Sequence, residues 1–338
     1  MSAWLKIVAG VTGVSAVLLS LAVVYLFVQL DKPINTNSPL SFEIKKGATI
    51  GSVVVSLDKL ELLETDARIL RYYGLLTRGD GEIKAGEYEL APGMSGKDLL
   101  VLFRSGKVIQ RQITFPEGWN FKQWRKHLED RDDITQTIHT YSDRDVMDLL
   151  GYPRVSPEGQ FFPDTYHYLK DETDIEILRT AFIKLKSVLG EEWMSRTIGD
   201  VLSTQEEALI LASIVEKETG YAPDRMNVAR VFLNRLSKGI RLQSDPTVIY
   251  GLGNSFDGDL RRSHLREQQP YNTYIYKGLT PTPISMPGRA AIHATLHADP
   301  GGYLYFVAKG DGSSHFSMTL NEHNAAVDRY QRRQKGLR

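Results

Sequence analysis

Between Ile7 and Leu30 the chain reads IVAGVTGVSAVLLSLAVVYLFVQL, a run with no charged residue. As a helix that run measures about 36 Å, enough to cross a hydrocarbon layer of about 30 Å with some tilt. A cleaved signal peptide would carry a shorter apolar stretch, about 7–15 residues, followed by a small-residue cleavage site, and neither is present. The expectation is a single signal anchor: residues 1–6 as a cytoplasmic tail, 7–30 as a transmembrane helix, and the rest outside the cytoplasmic membrane. Lys6 before the span supports this orientation, although Lys32 beyond it thins the charge contrast.

The 338 residues leave room for about two further domains. Lys plus Arg and Asp plus Glu are equal at 41 each, so no global field favours nucleic acid. The absence of cysteine excludes disulfides, thiolate metal sites and cysteine nucleophiles.

Residues 31–40, with two prolines among Asn and Ser, read as a linker. From 41 to 107 short strands (Ser41–Lys45, Lys84–Leu90) bracket helical stretches, the first capped by Thr49, which makes a small α+β module. From 108 to 338 the pattern is a mixed α/β domain. It runs through a strand region to Phe115, a basic helix Phe121–Leu128, mostly helical text over 130–200, and helices near 204–218 and 223–236. An irregular stretch beyond Gly239 follows, then a closing hairpin, Tyr303–Ala308 with His315–Ser317.

The chemistry centres on Thr204–Glu218. Thr204 and Glu207 stand at capping-box spacing and an apolar run follows. At about 100° per residue, Leu211, Ile214 and Val215 fall on the side of Glu218, while Glu216 points the other way and Ser213 lies opposite. A carboxyl lined by aliphatics is pushed toward the neutral form that a general acid needs near neutrality. The competing reading is a stripe-edge glutamate reaching past the helix end to solvent or an arginine. A glycosidic oxygen needs such an acid and usually a second carboxylate, for which Asp245, Asp164 and Glu158 are the candidates. Asp245-Pro-Thr reads equally well as a turn and helix cap.

His293 and His297 have i,i+4 spacing, but a third metal ligand would have to come from far away, so packed or capping histidines are expected and no metal or cofactor. No nucleophile elbow, dinucleotide fingerprint or Walker A string occurs. Eight tyrosines and phenylalanines crowd the loops around the glutamate helix: Phe161, Phe162, Tyr166, Tyr168, Tyr250, Tyr271, Tyr274 and Tyr276. They suit sugar faces or a core.

Several strings together resemble the endolytic murein transglycosylase (YceG-like) family: KAGEYEL at 84–90, EGQFFPDTY at 158–166, ASIVEKET at 212–219, VFLNRL at 231–236, RLQSDPTVIYG at 241–251, YNTY at 271–274, PISMPG at 283–288 and YLYFVAKGDGSSHF at 303–316. They stand in family order. The resemblance implies an inner-membrane, single-pass, periplasm-facing enzyme with a LysM-like module at 41–107. At 108–338 it implies a YceG-like catalytic domain, related at its active site to lysozyme-like transglycosylases. The family's catalytic glutamate maps to Glu218. The implied reaction cuts the β-1,4 bond between N-acetylmuramic acid and N-acetylglucosamine within peptidoglycan glycan strands, leaving a 1,6-anhydro end. Gln243, Asp245, Tyr271 and Asn272 would line the cleft, with Tyr271-Asn272 as the tyrosine–asparagine motif of related enzymes. Partners would be the glycan strands and cell-wall synthesis proteins. A hydrolase pairing Glu218 with Asp245, and a non-enzymatic glycan-binding scaffold, are the alternatives.

Overall fold

The computed structural model describes residues 3–77 and 82–332. It confirms mixed helix and strand content, divided into two compact units. One comprises Met1–Arg111 with His167–Lys170, the other Gln112–Tyr166 with Asp171–Arg338.

The first unit opens with helix α1 (Ala3–Leu30), whose segment Gly10–Leu30 has a mean hydropathy of 2.4 and is exposed up to Val28. Strand β1 (Leu40–Ile44), helices α2 (Ile50–Lys59) and α3 (Ala67–Leu76), and strand β2 (Gly86–Leu90) follow, then helix α4 (Gly96–Ser105). β1 and β2 pair antiparallel, Leu40 opposite Leu90 and Ile44 opposite Gly86, so Phe42, Ile44, Tyr88 and Leu90 turn to one buried face. Thr49 caps α2 through a box with Ser52, and Ser95 caps α4 through a box with Asp98.

The segment read as a linker is docked. Ile34 is buried at 4% exposure, its N–H donates to the Met94 carbonyl at 2.7 Å, and Asn35 N–H donates to Leu62 O at 2.9 Å. The two prolines break helix there, but the apolar residue between the turn formers has a core to enter and the backbone finds partners. The long section between α2 and β2 includes residues 78–81, outside the described residues.

In the second unit, apart from Arg111 of β3 and His167 and Tyr168 of β4, which group with the first, β3 (Arg111–Thr114), α5 (Phe121–Glu129), α6 (Asp143–Leu149), β4 (Thr165–Tyr168) and α7 (Asp174–Met194) precede α8 (Gln205–Glu218). Then come α9 (Arg225–Ser237), α10 (Asp245–Leu252), α11 (Arg289–Leu296), the hairpin β5 (Tyr305–Ala308) and β6 (Ser314–Ser317), and α12 (Leu320–Val327). Helix α8 packs against α7, α9, α10 and α11. Every residue from Ala208 to Val215 is buried, so α8 is enclosed on all sides and has no solvent face along that length. The single apolar stripe expected from the wheel is therefore too narrow. α10 also corrects the reading of an irregular stretch beyond Gly239: its proline, Pro246, sits in the first turn, where the missing N–H costs no hydrogen bond.

Candidate active site

Glu218 is the last residue of α8, and its helix is built as the sequence suggests: Thr204 Oγ1 accepts from Glu207 N–H while the Glu207 carboxylate accepts from Thr204 N–H. Ser213, midway along, accepts from Ile284 N–H, and the Ser285 hydroxyl donates to the Ser213 carbonyl. These bonds clamp the PISMPG segment to α8.

The Glu218 carboxyl is not released to bulk water. Ser244 Oγ donates to its Oε1 at 2.5 Å. The residue as a whole keeps some exposed surface, but its carboxyl is enclosed, and the carboxyl's surroundings set its proton affinity. Burial pushes it up to about 7; the Ser244 bond and the Arg235 guanidinium oppose that rise, and the nearby Asp245 charge adds to it.

Ser244 itself is tied from several sides. Its N–H donates to Thr273 Oγ1 at 3.0 Å, Thr247 Oγ1 donates to its carbonyl at 2.7 Å, and the two threonine hydroxyls lie 2.9 Å apart. Ser244 precedes α10 as its N-cap without a side-chain cap bond, because its hydroxyl is turned to Glu218. Asp245 is thus the first residue of α10 and not its cap. Ser244 was not singled out from sequence; the one available signal was its place just before an Asp-Pro helix start.

Arg235 is buried at 8% exposure, with Nε donating to Leu304 O at 2.7 Å and Nη1 to Leu242 O at 2.7 Å. It pins the 241–243 segment and supplies positive charge near Glu218.

The other expected residues separate into different roles. Asp245 is exposed and accepts from Tyr274 OH at 2.6 Å. Gln243 is exposed, with a left-handed φ of 52°. Tyr271 is half-buried, its hydroxyl 2.8 Å from Thr282 Oγ1 and its ring edge-on to Tyr250 at 4.9 Å. Asn272 is fully buried. Its amide donates to His264 O and Glu267 O and its Oδ1 accepts from Tyr274 N–H, so it braces the loop carrying Tyr271 and Tyr274 from behind. Asp164 is occupied by an ion pair with Lys184.

A cleft of about 1150 Å³ lies alongside. Lys217, Pro246, Tyr250, Tyr271, Trp119 and Glu158 are among its walls, whereas Glu218 is not. Lys217 and Pro246, the chain neighbours of Glu218 and Asp245, thus form part of the cleft wall.

Glu158 is the second buried carboxyl, at 5% exposure. It accepts from Phe121 N–H at 3.2 Å and from Tyr250 OH at 3.0 Å, and burial raises it to about 7 against those bonds. The following Gly159 has φ of 78°, and a Cβ there would stand 2.3 Å from Pro283 Cβ, so only glycine fits.

Glu216, expected to face away, is also half-buried: it accepts from Gly288 N–H at 3.0 Å, and burial raises its carboxyl. The aromatics divide. Phe161, Phe162, Tyr166 and Tyr168 fill the interior, while Tyr250 and Tyr271 reach the cleft.

His293 and His297 stack at 4.3 Å, and Glu192 of α7 supplies the distant third group, its Oε2 2.8 Å from His293 Nδ1 and 3.4 Å from His297 Nε2. Arg289 Nε already pairs with the same carboxylate at 2.8 Å, which makes the cluster a joint between α7 and α11.

Comparison with known proteins follows this geometry. The model of the YceG-like family matches residues 42–329. A Bacillus subtilis (strain 168) protein named endolytic murein transglycosylase is 32% identical over 88% of this chain and 86% of its own length. A relative of the same name from Streptococcus pneumoniae (serotype 2, strain D39) is 28% identical over 87% of this chain, which spans 59% of that longer protein. A crystal structure of a YceG-like protein from Listeria monocytogenes superposes with a TM-score of 0.53 at 28% identity, covering 86% of this chain and 99% of its own. With its family strings in order and matched over most of its length, the chain belongs to the YceG-like family.

Proposed function

We propose that this protein is an endolytic peptidoglycan transglycosylase in which Glu218 serves as both acid and base. The observation that carries the reading is the Glu218 carboxyl itself: enclosed, held by Ser244, and pushed by burial up to about 7 beside a cleft of about 1150 Å³. The printed activity of the relatives, endolytic murein transglycosylase, agrees with it.

In the first step Glu218 gives its proton to the oxygen between N-acetylmuramic acid and N-acetylglucosamine as the C1–O bond breaks. In the second, the C6 hydroxyl of the muramic acid closes onto C1 and hands its proton back to Glu218. The product ends in a 1,6-anhydro ring and no water is consumed. An attached hydroxyl has a high effective concentration, so no second enzymic carboxylate is required. Asp245, Gln243, Tyr271 and Tyr250 would contact sugar, and Asn272 would hold their loop. Helix α1 would anchor the enzyme in the inner membrane with both units in the periplasm, the small unit acting as a LysM-like module near the strands made by cell-wall synthesis proteins.

The exposed Asp245, whose charge acts on Glu218, keeps one rival in view: a hydrolase in which Asp245 activates water. Mass spectrometry of products from un-crosslinked glycan strands separates the two. Anhydro ends are expected, and ends heavier by one water would sink the transglycosylase reading. Uncut strands would leave a binding scaffold.

A further inference from the structure

Helix α3 carries two apolar faces, and the small unit covers the second only in part: Ile69 and Tyr73 are half-buried against the core, whereas Tyr72 and Leu76 are exposed. Leu70 and Gly74 turn into the core. Ile69, Tyr72, Tyr73 and Leu76, at i, i+3, i+4 and i+7, form a second stripe. That stripe faces the end of α1, and together with Leu26 and Phe27 it walls a groove of about 420 Å³. Tyr72 is 67% exposed and Leu76 is 86% exposed, which in water would be a costly patch.

The level of this groove is fixed by two observations. α1 enters the unit rigidly: Leu30 is buried with Ile50, Val54, Leu70 and Leu100, Thr65 Oγ1 donates to Gln29 O at 2.6 Å, and Lys97 pairs with Asp31. The apolar segment Gly10–Leu30 rises about 30 Å, a whole hydrocarbon thickness. The groove begins at Val23, so it occupies about the last 10 Å of that rise.

We propose that α3 is a membrane-surface helix, and that acyl chains of the leaflet α1 leaves fill the groove between α1 and α3. The inference rests on α1 spanning a bilayer. The groove is continuous with the exposed apolar surface of α1, which lipid must cover in any case. Tyrosine rings favour the boundary between headgroups and chains, and amphipathic helices lie about 5–10 Å deep there. A second contact beside α1 would limit how far the small unit can tilt on its anchor.

The absence of cysteine makes the test direct. Tyr72→Cys, Leu76→Cys, Val17→Cys and Met194→Cys are each spin-labelled in the full chain. Each is placed in nanodiscs of phosphatidylethanolamine and phosphatidylglycerol, and power saturation compares collisions with oxygen and with a water-soluble nickel chelate. Val17 lies mid-span and Met194 is an exposed apolar residue of the other unit. Labels at 72 and 76 are expected to favour oxygen, as at 17, while the label at 194 favours nickel. Nickel-dominated labels at 72 and 76 beside an oxygen-dominated label at 17 would overturn the inference and leave the anchor standing. A nickel-dominated label at 17 would overturn both. Spin–spin broadening at 76 would assign the groove to a second copy and overturn the lipid assignment.

Discussion

Replacing Glu218 by glutamine should make the protein more stable at alkaline pH while abolishing turnover. A carboxyl moved from 4.5 to about 7 binds its proton about 3 kcal/mol more tightly in the folded chain than in the unfolded one. The folded state therefore holds the extra proton between those two values. The wild-type chain's stability thus declines as pH rises from about 4.5 to about 7, and above 7, where the enclosed carboxylate is ionised in the folded chain too, the loss is complete. Glutamine has nothing to ionise and its carbonyl can still accept from Ser244, so the variant escapes the fall. For a domain of about 150–250 residues, 1 kcal/mol shifts the melting temperature by about 2–4 °C, so a gain of about 6–12 °C is the upper expectation well above pH 7. Near pH 4.5 the two proteins should melt together. Glu158 titrates in both and cancels in the comparison. The assay is calorimetry of the detergent-solubilised full chain across this pH range, beside anhydro-product formation. A variant that is less stable at alkaline pH, or whose offset does not change with pH, would refute the burial argument.

Further expectations concern the groups around this carboxyl. Ser244→Ala removes a bond that favours the charged form, so the alkaline limb of the pH profile of kcat/KM should move upward from about 7; a limb that stays or falls counts against the assignment. α10 loses no cap bond, so the stability cost should come from the enclosed Glu218 carboxyl left without its donor, about 1–3 kcal/mol and largest above about pH 7 where it is ionised. Glu158→Gln leaves one oxygen where the carboxylate serves Phe121 N–H and Tyr250 OH, so it should cost about 1–3 kcal/mol and weaken substrate affinity. It should also leave the alkaline limb in place; movement of the limb on this substitution alone would transfer the acid role to Glu158. Thr204→Ala removes the cap of α8 and should cost about 1 kcal/mol in denaturant titration, with the pH profile unmoved.

What the sequence discloses here is what is set by nearby residues. The capping box of α8 and the hairpin strands β5 and β6 are legible because their partners lie a few residues away. The docking of Ile34 and Asn35 was not, because their respective partners Met94 and Leu62 are far along the chain and two prolines mask a buried position as a linker. Glu192 beside the two histidines is the same case, a third group contributed by a helix about a hundred residues earlier. The wheel singled out Glu218 on the premise of one apolar face. α8 is instead buried all round, and Glu216 is also held inside, so periodicity cannot separate the two glutamates. What separates them is the partner each meets, a backbone N–H of Gly288 for one and the Ser244 hydroxyl for the other.

That partner bears on the proposed double role, in which one carboxyl would carry out two opposite proton transfers. Glu218 ends α8, where the negative end of the helix dipole adds to desolvation in holding the proton on. Its Oε1 faces Ser244 at the start of α10, where a hydroxyl donor and the positive end of a helix draw the proton off. The Arg235 guanidinium pulls the same way, and the Asp245 carboxylate pushes back. A purely oily pocket would hold the acid neutral and make it a poor base; a salt bridge would hold it charged and make it a poor acid. Desolvation, opposed by the Ser244 donor and Arg235, leaves the two forms close in free energy near neutrality, so in the proposed mechanism neither the protonation of a leaving oxygen nor the recovery of a proton from an incoming hydroxyl would meet a large penalty from the protein.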